Sequence, residues 1–347
     1  MQIGQNPMNN SVTSSWQRNK IKWLYFLGAA FVIACMGLAI ALGSAAISFS
    51  DILDAFRKGS QASAGTRIFA YSRLPRMLAS LVCGGALSVA GSLIQGVLAN
   101  RLASPSIIGV NAGAGLAVTV CTAFGIYGGW QLSLFSFIGA FAAVMLVSFA
   151  ARRWGASRGT VILIGVALNS LLGAVSDTVT TLIPEVGVMS NDFKIGEFAS
   201  VTYPKLIPAM VIICIVIAVV YTLHNSLDIL TLGEENARGL GLNTRTMRSV
   251  FLILAALLSG CAVSLAGLLS FVGLLVPHAV RRIAGSKSSH VIGLSALYGS
   301  GFVCLCDTLA RTVFSPYEVP VGIFMAFLGA PFFVFILIKG KGGHSHA

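Results

Sequence analysis

The chain has 347 residues, of which 56% are hydrophobic and only 10% are charged. A soluble domain carries about 25% charged residues, so this composition excludes a soluble globular protein and indicates a chain surrounded largely by membrane lipid. The formal net charge of +12 would suggest a nucleic-acid partner for a soluble protein. In a membrane protein, basic cytoplasmic loops explain the excess, and we expect no nucleic acid as a partner.

Apolar runs separated by short polar segments predict an all-α, polytopic membrane protein. A bilayer core needs about 20 apolar residues per spanning helix, which gives about ten transmembrane helices. We expect a polar cytoplasmic N-terminal tail over residues 1–22, a single transmembrane domain over 23–339 and a cytoplasmic tail over 340–347. The predicted helices are 23–47, 76–98, 107–127, 131–151, 160–183, 205–223, 249–268, 270–283, 290–311 and 319–338.

The distribution of basic residues indicates which side of the membrane each loop faces. With both termini in the cytoplasm, 15 of the 23 lysines and arginines fall on the cytoplasmic side and 8 on the external side. This bias follows the positive-inside rule. Five of the external residues, however, lie between Arg57 and Arg76, and this cluster requires an explanation.

The polar segment of about 224–248 contains "LGEENARGLGL", which predicts a short helix that ends at glycines. The helix would expose Glu234, Glu235 and Arg238 and would be closed by Gly239 and Gly241. A docking helix for a cytoplasmic partner and an ordinary solvated loop both fit this pattern.

The chain contains no G-x-x-x-x-G-K-[ST] motif for ATP binding and no constellation typical of a hydrolytic site. We therefore expect a non-enzymatic protein that binds no metal or cofactor itself. If transport is driven by ATP, the ATPase must be a separate subunit.

Asp177, Asp307 and Arg311 fall inside predicted spans, where ionisable groups are costly and usually functional. Asp307 and Arg311 are spaced i, i+4 on the ninth helix, which favours an ion pair. Such a pair could serve function or only hold the helix. Asp177, on the fifth helix, could line a path or cap a neighbouring helix end.

Several motifs in the same order resemble the FecCD family of ABC-transporter permeases, which import iron–siderophores, haem and cobalamin. The longest is "SRLPRMLASLVCGGALSVAGSLIQGVLANRLASPSIIGVNAGAG"; "GEENARGLGL", "SFVGLLVPHAVRR" and "CDTLARTVFSPYEVPVGIFMAFLGAPFF" follow it. They extend from about Arg73 to Lys339. Arg101 departs from the family pattern, which usually has proline there.

The resemblance implies the type II ABC importer permease fold in a bacterial cell membrane. It implies a second permease copy or paralogue, two ABC ATPase subunits that carry ATP and Mg, and an extracytoplasmic substrate-binding protein. The expected substrate is an iron–siderophore or similar metal chelate, with haem or cobalamin as the alternative. A more remote alternative is an ion-coupled secondary transporter that uses Asp177 and Asp307.

The resemblance also implies roles for particular residues. Arg73, Arg76 and Arg311 would dock the binding protein, which would explain arginines on the external side. Glu234, Glu235, Arg238, Gly239 and Gly241 would couple the permease to the ATPase. The translocation path would lie between two permeases and include Ser176, Asp177, Thr180 and Asn191.

Overall fold

The computed structural model describes residues 7–43, 52 and 63–341. Within these residues every regular element is helical, which confirms the all-α prediction. The helices are α1 Pro7–Ala41, α2 Ala64–Ile68, α3 Leu74–Val97, α4 Val110–Ala123, α5 Gly129–Arg153, α6 Arg158–Leu182, α7 Pro184–Met189, α8 Asn191–Ile195, α9 Tyr203–Thr222, α10 His224–Thr231, α11 Glu234–Gly239, α12 Thr244–Ala266, α13 Val272–Ala284, α14 Ser288–Thr312 and α15 Val321–Lys341.

Each of the ten predicted spans coincides with a helix, but the helices differ in length. Among the described residues, seven helices are long and apolar enough to cross a membrane, namely those that contain α1, α3, α5, α6, α9, α12 and α14. The other three predicted spans correspond to α4 with 14 residues, α13 with 13 residues and α15, in which Val321–Val334 form the described apolar stretch. The protein is therefore a multi-pass membrane protein, and the number of spans stays a prediction.

Some of the predicted boundaries differ from those of the structure. Helix α1 begins at Pro7 and not near Trp23, because proline suits a first helical turn and no glycine or proline follows before Gly28. The segment 224–248 is not an open loop, since it contains α10, α11 and the first turn of α12. The polar connector before Ala64 lies mostly outside the described residues.

The chain passes through Pro75 without ending a helix. The sequence predicts a helix that begins at about Arg76, yet the helical segment runs from Ala64 to Val97. A π-helical turn, Phe69–Arg73, joins α2 to α3, and the Leu74 N–H donates to the Phe69 carbonyl. This wider turn accommodates proline, which has no N–H and clashes with the preceding turn of a regular α-helix.

Helix α3 lies at the centre of the bundle, between α12 and α14. In the most apolar stretches of α3 and α12, 83% and 78% of the residues are buried, whereas the share is only 17% in those of α1 and α6. Glycines allow the close approach: a Cβ on Gly84 would collide with the backbone of Gly299, and one on Gly91 with that of Gly273. Small residues have this role in membrane helices generally.

The alternation of the helices defines two ends of the bundle. The start of α3 and the ends of α12 and α14 lie at one end, which we call the Arg76 end. The end of α3, the helices α10 and α11, and the starts of α12 and α14 lie at the other, which we call the α11 end. Contacts between Arg76 and Asp307 and between Gln95 and Gly273 fix this arrangement.

Candidate functional site

Arg76 joins three elements at the Arg76 end. Its Nε donates to both carboxylate oxygens of Asp307 at 3.1 Å, and its Nη2 donates to Asp307 Oδ1 at 3.0 Å. Its Nη1 donates to Glu318 Oε2 at 2.7 Å. The side chain of Asp307 is 3% exposed, that of Arg76 is 13% exposed and that of Glu318 is 39% exposed. Arg76 therefore connects a buried acid to a surface acid.

Arg73 and Arg311 hold the end of α1. Arg73 Nη1 donates to the Ile40 carbonyl at 2.6 Å, and Arg311 Nη2 donates to the Ala39 carbonyl at 2.5 Å. Both arginines are buried. The last carbonyls of a helix lack partners within the helix and attract cations, so the two guanidinium groups act as a cap on α1.

The structure brings the three predicted docking arginines to one end of the bundle but gives each an acceptor within the chain. The predicted pairing of Asp307 with Arg311 is wrong, because Asp307 accepts from Arg76 and Arg311 turns to α1. The sequence analysis did not predict that carbonyls of α1 accept from these arginines. It could have done so, because the last carbonyls of any helix lack partners within the helix and need donors.

Helix α11 is short and exposed at the other end of the bundle. It begins after Gly233 at φ 108° and is followed by Gly241 at φ 80°, backbone conformations that favour glycine. The carboxylate of Glu234 accepts from Arg238 Nη2 at 2.8 Å and from Arg248 Nη2 at 3.2 Å. The helix is thereby attached to α12, while Glu235 and Arg238 are exposed.

Burial of the Glu234 carboxyl raises its pKa, but the charges of Arg248 and Arg238 outweigh this effect and lower the pKa below its usual value. Arg248 is itself buried and donates from Nη1 to the Ala156 carbonyl at 2.9 Å. One arginine therefore links α11 to the turn between α5 and α6.

A cavity of about 350 Å³ opens beside α11. Its charged lining consists of Glu234, Glu235, Arg152, Arg238, Arg245 and Arg248. Two leucines near α11, Leu232 and Leu240, have exposed fractions of 58% and 64%. An exposed helix with charged and apolar side chains beside a charged cavity can receive a protein partner.

The predicted path residues do not share one environment. Ser176 is buried and its hydroxyl lies 2.9 Å from that of Thr119 on α4. Asp177 and Asn191 are exposed and Thr180 is partly buried. Exposed polar side chains at Ser170, Asp177, Thr178 and Thr181 follow one face of α6. We call this set the α6 polar face; Ser176 lies outside it because it points toward α4.

The described helices form a multi-pass membrane bundle with exposed polar side chains on α6 and a short exposed helix at one end. The chain belongs to the FecCD transport family, whose model matches residues 30–339. It is 33% identical over 94% of its length to the Fe(3+)-citrate import system permease protein YfmD of Bacillus subtilis, of which it covers 98%. It is 32% identical over 92% of its length to the hemin transport system permease protein HmuU of Yersinia pestis, of which it covers 96%.

The fold also matches a solved structure. That structure is described as an inward-facing conformation of an ABC transporter of a proposed metal-chelate type. The comparison has a TM-score of 0.79 with 26% sequence identity and covers 92% of this chain and 99% of the other. The protein is therefore a permease, a membrane component and not an enzyme, with the fold of ABC-transporter permeases.

Proposed function

We propose that this permease imports an iron–siderophore or similar metal chelate, which an extracytoplasmic binding protein delivers and which separate ATPase subunits move at the expense of ATP. The observation that carries the proposal is α11, a short exposed helix attached to the bundle through Glu234, Arg238 and Arg248. A movement of this helix caused by a partner would be transmitted to α12. It would also reach the turn between α5 and α6, because Arg248 of α12 donates to the Ala156 carbonyl.

At the α11 end, Glu235 and Arg238 would contact the ATPase, and Glu234 would keep α11 in position. Gly239 and Gly241 would allow the turn into α12. Relatives that are named as permeases of Fe(3+)-citrate and hemin systems support this role, as does the absence of an ATP-binding motif from the sequence.

At the Arg76 end, Arg73, Arg76 and Arg311 stay our candidates for docking the binding protein. Their guanidinium groups already have acceptors, but each group carries five N–H donors, so an acid of the partner must reach an unused donor or replace one of these acceptors. Arg76 meets this condition most easily, since its partner Glu318 is exposed. Arg73 and Arg311 would contribute by holding the end of α1.

The translocation path would lie between two permeases, along the α6 polar face. The hydroxyl groups of this face donate to carbonyls of α6 itself, but the exposed carboxylate of Asp177 is costly against lipid. A second permease across a water-filled path would avoid that cost. Asp177, Thr180 and Asn191 would then line the path, and Ser176 would support it from behind.

A haem or cobalamin substrate is the alternative within the family, and the hemin permease among the relatives keeps it open. The ion-coupled alternative is weakened by the pairing of Asp307. Its carboxylate accepts three hydrogen bonds from Arg76, which leaves it poorly suited to exchange an ion.

The proposal is tested by uptake into proteoliposomes that contain the permease, its ATPase and ATP inside. We expect accumulation of a radiolabelled ferric siderophore that requires both the binding protein and ATP. The same vesicles with haem or cobalamin test the alternative substrates. Uptake that follows an imposed proton gradient without the ATPase would contradict the proposal.

A further inference from the structure

A second cavity, of about 230 Å³, lies at the α11 end between α3, α10, α13 and α14. It is separate from the cavity beside α11, with which it shares no lining residue. Its polar lining consists of Ser92, Gln95, Arg101, Thr231, Arg281, Ser286 and Ser288. No carboxylate is among these residues. A cavity with two arginines, hydroxyl groups and no acid favours an anion.

Arg281 is held in a fixed position in this cavity. Its Nη2 donates to the Ser92 carbonyl at 3.1 Å and its Nη1 donates to Gln95 Oε1. The Gln95 amide in turn donates to the Gly273 carbonyl at 3.2 Å. These contacts join α3 to α13 and orient the guanidinium group before any ligand arrives, which lowers the entropic cost of binding.

Arg101 is presented by a turn that follows α3. Ala99 has φ 47°, and the Asn100 side chain accepts the Leu102 N–H at 2.9 Å, which is an Asx turn. Arg101 is exposed and, within the part of the chain that the structure describes, donates no hydrogen bond and forms no ion pair. A second arginine therefore enters the cavity with its donors unused.

One acid, Asp228, lies on a helix that borders the cavity. Asp228 on α10 accepts the Ser288 backbone N–H at 2.8 Å and does not line the cavity. The neighbouring residues Arg282 and Lys287 are exposed and add positive charge at the same end. The charge around the cavity is thus positive and is not balanced by its lining.

We propose that this cavity binds a phosphate group. Arginine matches the geometry of phosphate with its planar array of donors, and Ser286 and Ser288 would add hydroxyl donors. The cavity is several times the volume of a water molecule, which is roughly 30 Å³ in the liquid. The phosphate can come from an anionic lipid headgroup, since basic pockets between membrane helices bind such groups, or from phosphate in solution.

Thermal unfolding of the full-length permease–ATPase complex tests the proposal. Inorganic phosphate and, separately, phosphatidylglycerol in mixed micelles are added at matched ionic strength, with chloride and phosphatidylcholine as their respective controls. Parent protein is compared with Arg101→Gln and with Arg282→Gln. Arg282→Gln removes an equal charge from the residue next to Arg281 in the sequence, and Arg282 does not line the cavity.

We expect phosphate or phosphatidylglycerol to stabilise the parent and Arg282→Gln alike. In Arg101→Gln the concentration for half the effect should rise about tenfold or more, because a hydrogen bond to a charged group is lost. Arg101→Lys should recover part of it. Arg281→Gln is a poorer test, since Gln95 and the Ser92 carbonyl would also lose their donor.

The two additives identify where the phosphate group comes from. Stabilisation by phosphatidylglycerol alone indicates a lipid headgroup, and stabilisation by inorganic phosphate indicates a soluble ligand. Equal responses of the parent and Arg101→Gln would overturn the proposal, as would equal losses in the two glutamine variants. If Arg101→Gln instead weakens ATPase association without changing either response, the cavity serves a protein acid and the proposal is wrong. The result does not depend on which chelate is transported.

Discussion

Arg76 and Asp307 are separated by 231 positions in the sequence and are joined by three hydrogen bonds between α3 and α14. Asp307 is 2% exposed, so this pair is a buried ion pair at the end of the bundle where we propose that the binding protein docks. We expect the loss of this ion pair to have two effects that can be measured separately, one on the stability of the permease and one on docking of the binding protein.

The stability effect is predicted by the burial of Asp307. Arg76→Ala leaves an unpaired carboxylate in the bundle and should cost about 3–5 kcal/mol, whereas removal of both charges should cost much less. Denaturant unfolding of the purified permease in detergent gives the measurement. Glu318→Gln is the matched control, because its pair with Arg76 is surface-exposed and is worth about 0–1 kcal/mol. Equal losses in Arg76→Ala and in the double variant with Asp307→Asn would contradict this account.

Docking should depend on the charge of Arg76 and on salt. Arg76→Lys keeps the charge but loses the forked geometry that binds Asp307 and Glu318 together, so it should weaken docking less than Arg76→Glu. Glu318→Gln removes the internal competitor and should strengthen docking slightly. Affinity of the binding protein for the reconstituted transporter at two salt concentrations tests this, and weaker binding is expected at high salt. Unchanged binding in Arg76→Glu would remove Arg76 from the docking surface.

At the α11 end, the two glutamates should behave differently. Glu235→Ala removes an exposed side chain and should lower ATPase association without affecting the bundle. Glu234→Ala should also loosen α11, because Arg248 and Arg238 lose their acceptor. Pull-down of the ATPase and the thermal stability of the permease separate the two effects. Loss of stability in Glu235→Ala, or intact association in both variants, would contradict the assignment.

The Glu234 contacts also predict a pH dependence. A carboxyl whose folded pKa is lowered contributes stability above its unfolded value, about 4.3, and loses it as pH falls through the folded value. The stability difference between the parent and Glu234→Gln should therefore be largest near neutral pH and shrink below about pH 4. A difference that grows on acidification would contradict the lowered pKa.

The sequence predicted the helices well because apolar runs report directly on burial in lipid, and α5 and α12 lie close to their predicted positions. It could not predict partners distant in the chain. Asp307 had Arg311 four residues away, and only the packing of α14 against α3 selects Arg76. It also could not fix the rotation of α6, which turns Ser176 to Thr119 and leaves Asp177 exposed.

The rotation of α6 gives a prediction of its own. In a cysteine-free background, cysteine at Asp177 or Thr178 should react with small hydrophilic thiol reagents in at least one transport state. Cysteine at Ser176, on the same helix, should be protected because it faces α4. Rapid labelling at Ser176 with protection at Asp177 would show that the path does not follow the α6 polar face.

The central claim is that this permease connects a binding-protein site at the Arg76 end to an ATPase site at α11. The most direct measurement is the stimulation of ATP hydrolysis by the ligand-loaded binding protein in proteoliposomes. It is made for the parent, for Arg238→Ala and for the double variant Arg76→Ala with Asp307→Asn, which leaves no buried charge unpaired. The account predicts that the parent is stimulated and that both variants, once assembled, respond weakly. The double variant should regain part of the response at higher binding-protein concentration. Full stimulation in both variants, or hydrolysis in the parent that ignores the binding protein, would contradict it.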